Sequence, residues 1–167
     1  MRAFFALIPD TESALKIEHW RQQNWPLLDR PVPAVNLHLT LSFLGDVSEA
    51  QTDELCQMLL PEQRLQTQIR FDNVGYWDKS EILFLAPADV DPEIHSIAMR
   101  CKTAAARAGI RVSKKRWQPH MTLGRRVALP PPSPLIAPDF VVSFDGFSLQ
   151  QSILDRKQAR YLCRATF

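Results

Sequence analysis

Glycine is scarce in this chain and cysteine scarcer still, at five and three of 167 residues. Gly45, Gly75, Gly109, Gly124 and Gly146 stand far apart, so neither a G-x-G-x-x-G fingerprint nor a P-loop can be written anywhere. The usual dinucleotide- and nucleoside-triphosphate-binding folds are therefore excluded. Cys56, Cys101 and Cys163 are odd in number and show no C-x-x-C spacing. The first two fall at apolar positions of expected helices, a usage that fits a reducing compartment and not a disulfide scaffold. Long apolar runs are missing too. The opening MRAFFALIPD ends its apolar stretch at Pro9, too short and too early for a secretory signal and far short of a membrane span, so a cytoplasmic location without a membrane is expected.

What is present is ordinary globular material, 46% hydrophobic and 23% charged, in a length that suits one domain or two small intimate lobes. The net charge of +2 hides a lopsided distribution. Between Arg100 and Arg126 there are nine basic residues and no acid, whereas the remainder carries 11 basic and 18 acidic residues, a balance of −7. A basic block in an otherwise acidic chain predicts a local positive surface that attracts phosphate, with a strength that falls as salt rises. The structural alternative is a solvated helix end followed by a basic loop.

Residues 2–8 read as a short buried strand closed by Pro9. Asp10 or Thr11 then caps a helix to about Asn24, with Ala14, Ile17 and Trp20 as its apolar stripe. A loop punctuated by Pro26, Pro31 and Pro33 leads to a strand at 36–44 stopped by Gly45. Ser48 and Gln51 form a capping-box signature for a helix to about Leu60, ended by Pro61. Strands are expected near 68–76 and 81–86. After Asp91-Pro92 the apolar positions 94, 97, 98, 101, 104, 105 and 108 keep helical spacing up to Gly109. Strands near 111–117 and 119–126 follow, then a loop with five prolines between Pro130 and Pro138, read as a stiff connector in preference to an SH3 ligand. Strands near 139–149 and 157–166 close the chain. The sum is an α+β protein with largely antiparallel sheets.

Two of the four histidines occur in the same local sentence, His38-Leu39-Thr40-Leu41 and His120-Met121-Thr122-Leu123, 82 residues apart. Alternation along a strand projects His38 and Thr40 from one face about 6.6 Å apart, with Leu37, Leu39, Leu41 and Phe43 on the other. The same parity joins His120 to Thr122. One such tetrapeptide is an amphipathic strand and nothing more. Two of them, each in a half of the chain with its own long helix, suggest a pseudo-twofold arrangement facing one cleft. Imidazoles with an unperturbed pKa near 6.5 suit opposite proton transfers, one accepting from water and one donating to a leaving oxygen, while hydroxyls and a basic surround hold phosphate oxygens. Neither a metal nor another cofactor is required: there is no H-E-x-x-H and no cysteine in the motifs, and no nucleophile elbow either.

The paired motifs resemble the two HxTx signatures of the 2H phosphoesterase superfamily. The contexts RAFFALIP, NLHLTLSFLG and WQPHMTLGR are similar to its bacterial RNA 2',3'-cyclic phosphodiesterase (2'-5' RNA ligase) branch, over nearly the whole chain in order and spacing. The resemblance implies a single bilobal domain over 1–167, two similar lobes of mostly antiparallel sheet with helices on the outer faces around a central cleft. It implies hydrolysis of a terminal 2',3'-cyclic phosphate on RNA to a 2'-phosphate without a metal, and reversible joining of RNA ends through 2'-5' linkages. Carried onto this chain, His38 is the proton donor, His120 the proton acceptor, and Thr40 and Thr122 hold phosphate oxygens. On chemistry alone either histidine fits either role. Arg125 is a further phosphate ligand if Gly124 bends the strand, since simple parity turns it away. Trp117 and Phe43, single aromatics in strands, read as core rather than base-stacking positions, and His19 and His95 as ordinary helix residues. A monomer is expected. Two other readings stay open: a non-catalytic RNA- or nucleotide-binding module, and a phosphodiesterase for a small cyclic phosphate such as an ADP-ribose cyclic phosphate.

Overall fold

In a computed structural model that describes residues 1–60, 64–154 and 159–167, the apolar opening run forms strand β1 (Arg2–Leu7), buried beyond its first residue. Asp10 caps helix α1 (Thr11–Asn24) by accepting from the Ser13 amide at 2.8 Å, and the buried stripe is Ala14, Ile17, Trp20 and also Arg21. A two-residue strand β2 (Arg30–Pro31) and a 3₁₀ turn (Ala34–Asn36) occupy the proline-punctuated loop, so β3 runs Leu39–Asp46 and His38 stands just before it. The capping box forms in full at helix α2 (Glu49–Leu59): the Gln51 amide donates to Ser48 Oγ at 3.1 Å, and the Ser48 amide to Gln51 Oε1 at 3.0 Å. Pro61, the expected stop, lies outside the described residues.

The strand expected over 68–76 is two strands, β4 (Gln66–Phe71) and β5 (Asn73–Trp77), in different sheets. Asp72 breaks the run because its carboxylate takes the Ala88 amide at 2.8 Å, which turns the chain out of the ladder. β6 (Ile82–Ala86) and helix α3 (Pro92–Arg107) match expectation, with Asp91 as N-cap and Cys101 buried on the apolar face. No strand forms at 111–117. The segment 110–120 is an extended loop, held by side chains instead of a ladder, and β7 is confined to Met121–Arg125.

The run expected over 139–149 also divides, into β8 (Phe140–Asp145) and β9 (Ser148–Leu154). Gly146, at φ 76°, makes the break. β10 covers Ala159–Thr166; positions 157 and 158 of the expected strand lie outside the described residues. The proline-rich segment is a connector, pinned where Trp20 Nε1 donates to the Ile136 carbonyl and Trp25 Nε1 to the Pro132 carbonyl, both at 2.9 Å.

The main sheet runs β10-β9-β1-β3-β7-β6-β5, with β2 also on β7, while β4 and β8 form a separate ribbon; every described pairing is antiparallel. The architecture is therefore the α+β one expected. Its two halves, β10-β9-β1-β3 and β7-β6-β5, meet through a single paired position, Leu39 with Met121. Both residues are fully buried in the core beneath the sheet, which sets the rows on the other face against each other.

Candidate active site

The two His-x-Thr motifs open the inner strands of the two halves, each histidine standing one residue before its strand. The antiparallel register through Leu39 and Met121 places His38 across from Thr122 and Thr40 across from His120, a local twofold relation. All four line one cleft of about 950 Å³. Thr40, Thr122 and His38 are nearly buried on its floor, and His120 is half-buried.

Each ring is fixed in the same way. His38 Nδ1 lies 2.7 Å from the Asn36 carbonyl and His120 Nδ1 lies 2.8 Å from the Gln118 carbonyl, two residues upstream in each case. A carbonyl only accepts, so Nδ1 carries the proton and Nε2 is left for the cleft in both motifs. Asn36 is itself held, donating through Nδ2 to the Ala159 carbonyl at 2.8 Å. Two aromatics box each imidazole. Phe4 and Tyr161 stand with centroids 4.8 and 5.1 Å from His38, and Trp77 and Phe84 stand 4.5 and 5.6 Å from His120.

That packing has an electrostatic consequence. Burial pushes His38 down to about 4 against the opposing pull of the Asn36 carbonyl, with Arg125 and His120 lowering it further. His120 is lowered by burial too, again opposed by its carbonyl partner, and by Arg125. At neutral pH both rings are thus neutral, two bases and no acid. An anion set against either Nε2 favours the protonated form of that ring.

The two motifs share one irregularity. On β3 the partners of Ala6 and Phe5 are Thr40 and Ser42, leaving Leu41 as an extra residue; on β7 the partners of Phe84 and Leu83 are Thr122 and Gly124, leaving Leu123 extra. The last residue of each tetrapeptide is therefore a bulge, and a bulge inverts the parity of the residues beyond it. On β7 this brings Arg125 to the cleft, against simple alternation, through Leu123 rather than Gly124. On β3 it turns Phe43 off the core face on which strict alternation puts it. Phe43 lies 6.2 Å from Phe4 and is 62% exposed at the cleft, so the core expectation fails for it. Phe43 and Arg125 occupy equivalent places, five residues after each histidine.

Family models and solved structures place this architecture. Residues 9–146 match the model of the 2'-5' RNA ligase superfamily. The chain is 32% identical to the RNA 2',3'-cyclic phosphodiesterase of Escherichia coli (strain K12) over 165 residues, 96% of this chain and 92% of that protein. The chain belongs to the 2'-5' RNA ligase superfamily. A crystal structure of a phosphoesterase superposes with a TM-score of 0.92 at 30% identity, covering 99% of this chain and 96% of that one. E. coli LigT complexed with 3'-AMP superposes with a TM-score of 0.89 at 29% identity, covering 99% and 96%.

One buried charge of this 2'-5' RNA ligase superfamily member has no counterpart among the sequence expectations. Arg21, 3% exposed, donates through Nη1 to the Val32 carbonyl and, at 3.4 Å, to the carbonyl of the bulged Leu123; Glu18 Oε1 lies 3.6 Å from its Nη2. The Val32 amide donates to that same carbonyl at 2.9 Å. The signal was available: position 21 continues the apolar stripe of residues 17 and 20, where a charge requires a buried partner. Trp117, read as core, is half-buried against the core and lines the cleft; its Nε1 donates to the Thr40 carbonyl at 2.9 Å. His19 and His95 are exposed helix residues, His95 with its ring 5.8 Å from Trp117. Among the described residues, no three His, Cys, Asp or Glu side chains gather as a metal would need, and no helix is long and apolar enough to cross a membrane.

Proposed function

We propose that this chain is an RNA 2',3'-cyclic phosphodiesterase, hydrolysing the terminal cyclic phosphate to a 2'-phosphate by acid–base transfer between two histidines. The observation that carries the reading is the matched pair of imidazoles, each with Nδ1 on a carbonyl and Nε2 free, on the floor of one cleft beside two threonines and Arg125. The E. coli relative of the same name supports it, as does the LigT complex with 3'-AMP.

His120, the more open ring, takes a proton from water through Nε2 as the water oxygen bonds to phosphorus. His38, protonated once the anion is bound, gives its Nε2 proton to the 3'-oxygen as the P–O3' bond breaks. Thr40 and Thr122 hold the non-bridging oxygens, and Arg125 offsets their charge. With a 5'-hydroxyl in place of water the same transfers join two RNA ends through a 2'-5' linkage. Phe43 offers an exposed aromatic face to the terminal base. All these groups come from one chain acting as a single bilobal unit, which supports a monomer, and three free cysteines support the cytoplasm.

The test is an RNA with a cyclic phosphate end, incubated in EDTA, with the product analysed for which hydroxyl keeps the phosphate. A 2'-phosphate is expected at undiminished rate. His38→Ala or His120→Ala is expected to lower kcat by roughly 10²–10⁴ with the circular dichroism spectrum retained. Full activity in either variant defeats the assignment.

A further inference from the structure

Arg21 is a charge where the helix pattern calls for an apolar side chain, on the buried stripe of α1 with Ile17 and Trp20. A methionine or leucine would fill such a place without any desolvation of charge. Its ion-pair partner among the described residues, Glu18, is 3.6 Å away and also receives the Ala34 amide at 2.8 Å. The guanidinium is aimed mainly elsewhere. Its Nη1 donates to two backbone carbonyls at once, those of Val32 and Leu123.

Those carbonyls belong to the two segments that decide where Arg125 points. Strand β2 follows β7 in step, with Arg30 opposite Arg125 and Pro31 opposite Gly124, and the Val32 amide continues the ladder onto the Leu123 carbonyl. On its other side β7 is out of step with β6 by the one residue Leu123. The β2 segment thus matches the bulged form of β7, whereas a regular β7 would turn Arg125 off the cleft face. Yet β2 is poorly equipped to hold its partner. It is two residues long, and Pro31 and Pro33 carry no N–H, which leaves the Val32 amide as the one backbone donor over 31–33. Arg21 supplies a second donor to the same Leu123 oxygen and, through the Val32 carbonyl, ties the two segments together. Two carbonyl oxygens brought to one point repel unless a donor stands between them, and a charged donor holds them most strongly.

We infer that Arg21 is a positioning residue for phosphate binding: it holds the Leu123 bulge and so keeps Arg125 directed into the cleft. The inference rests on the phosphodiesterase reading only in taking the anion at Arg125 as the phosphate of the substrate. Arg21 does not itself line the cleft, so its contribution reaches the anion through Arg125. Because a single nitrogen meets both carbonyls, and not a bidentate fork, a lysine ammonium in the same place can serve both, whereas a methionine serves neither.

The test is a double-mutant cycle read by the dissociation constant of inorganic sulfate at pH 6, on the full chain and its variants R21M, R125A and R21M/R125A, with R21K as the conservative replacement. Sulfate is expected to bind about tenfold more weakly to R125A and to R21M, the worth of one charged hydrogen bond. The double variant is expected to match R125A alone, since the bulge no longer matters once its arginine is gone. R21K should stay within about threefold of the parent. Circular dichroism and a urea midpoint record the fold, and R21Q, whose amide is too short to reach both carbonyls, takes the place of R21M if that variant does not fold. Parental sulfate affinity in R21M overturns the proposal. So does a full further loss when R21M is added to R125A, the mark of a general loosening of the cleft, or a loss in R21K as large as in R21M. An R125A that binds sulfate normally overturns it as well, as does failure of both R21M and R21Q to fold, which would make Arg21 a residue of the fold alone. Sulfate binding needs no turnover. The expected cycle in a protein inactive on cyclic phosphate ends would sink the phosphodiesterase reading alone, and hydrolysis with an additive cycle would sink only the role of Arg21.

Discussion

Each imidazole of the cleft is tuned by its neighbours before any anion arrives. The flanking aromatics strip water from the ring, the carbonyl two residues upstream fixes the tautomer, and Arg125 adds positive potential, so both rings favour neutrality. An anion that protonates one of them must take up a proton when it binds. Sulfate, whose charge is constant through this range, is expected to inhibit more strongly as pH falls from 7 toward 5, with proton uptake visible as a buffer-dependent heat in calorimetry. The preference should level off near pH 4, where free His38 is itself half protonated. An inhibition constant flat with pH, or binding without proton uptake, would contradict this account of the site.

At the scale of elements, bulges and breaks decide more than propensity does. Leu41 and Leu123 sit one residue out of register in their strands, and that slip turns Phe43 and Arg125 toward the cleft. Gly146 works similarly between β8 and β9. Its φ of 76° is strained for other residues, and a Cβ there would stand 2.4 Å from the Phe167 carbonyl oxygen. The backbone bonds between Phe147 and Phe167, at 3.1 and 2.8 Å, close that corner. Gly146→Ala is expected to destabilise the fold by about 1–3 kcal/mol, read as a lower urea midpoint at unchanged m. A midpoint equal to that of the parent would show that the corner relaxes freely.

For the molecule as a whole, the site draws on the stability of the fold. His38 is neutral and buried when folded, with its pKa near 4 against an ordinary 6.5. Between those values the unfolded chain binds a proton that the folded chain refuses, so stability falls as pH falls through that window. The full difference corresponds to about 3 kcal/mol. Urea midpoints should therefore decline between pH 6.5 and 4 more steeply in the parent than in His38→Asn. Equal slopes would show that the ring is not held neutral.

Local pattern was enough for the three helices with their caps, for the alternation of His38 with Thr40 and of His120 with Thr122, and for the concentration of positive charge after residue 100. Such features depend on neighbours in the chain, through hydrogen bonds to nearby amides and the geometry of successive Cβ atoms. Where strands break, by contrast, depends on which partner each backbone amide finds, and Asp72, Gly146 and the loop 110–120 all found partners far along the chain. The bulges that turn Arg125 and Phe43 to the cleft, the buried Arg21 against the bulge of β7, and the depressed basicity of both imidazoles are likewise products of packing. Register and desolvation exist only between segments that have already come together.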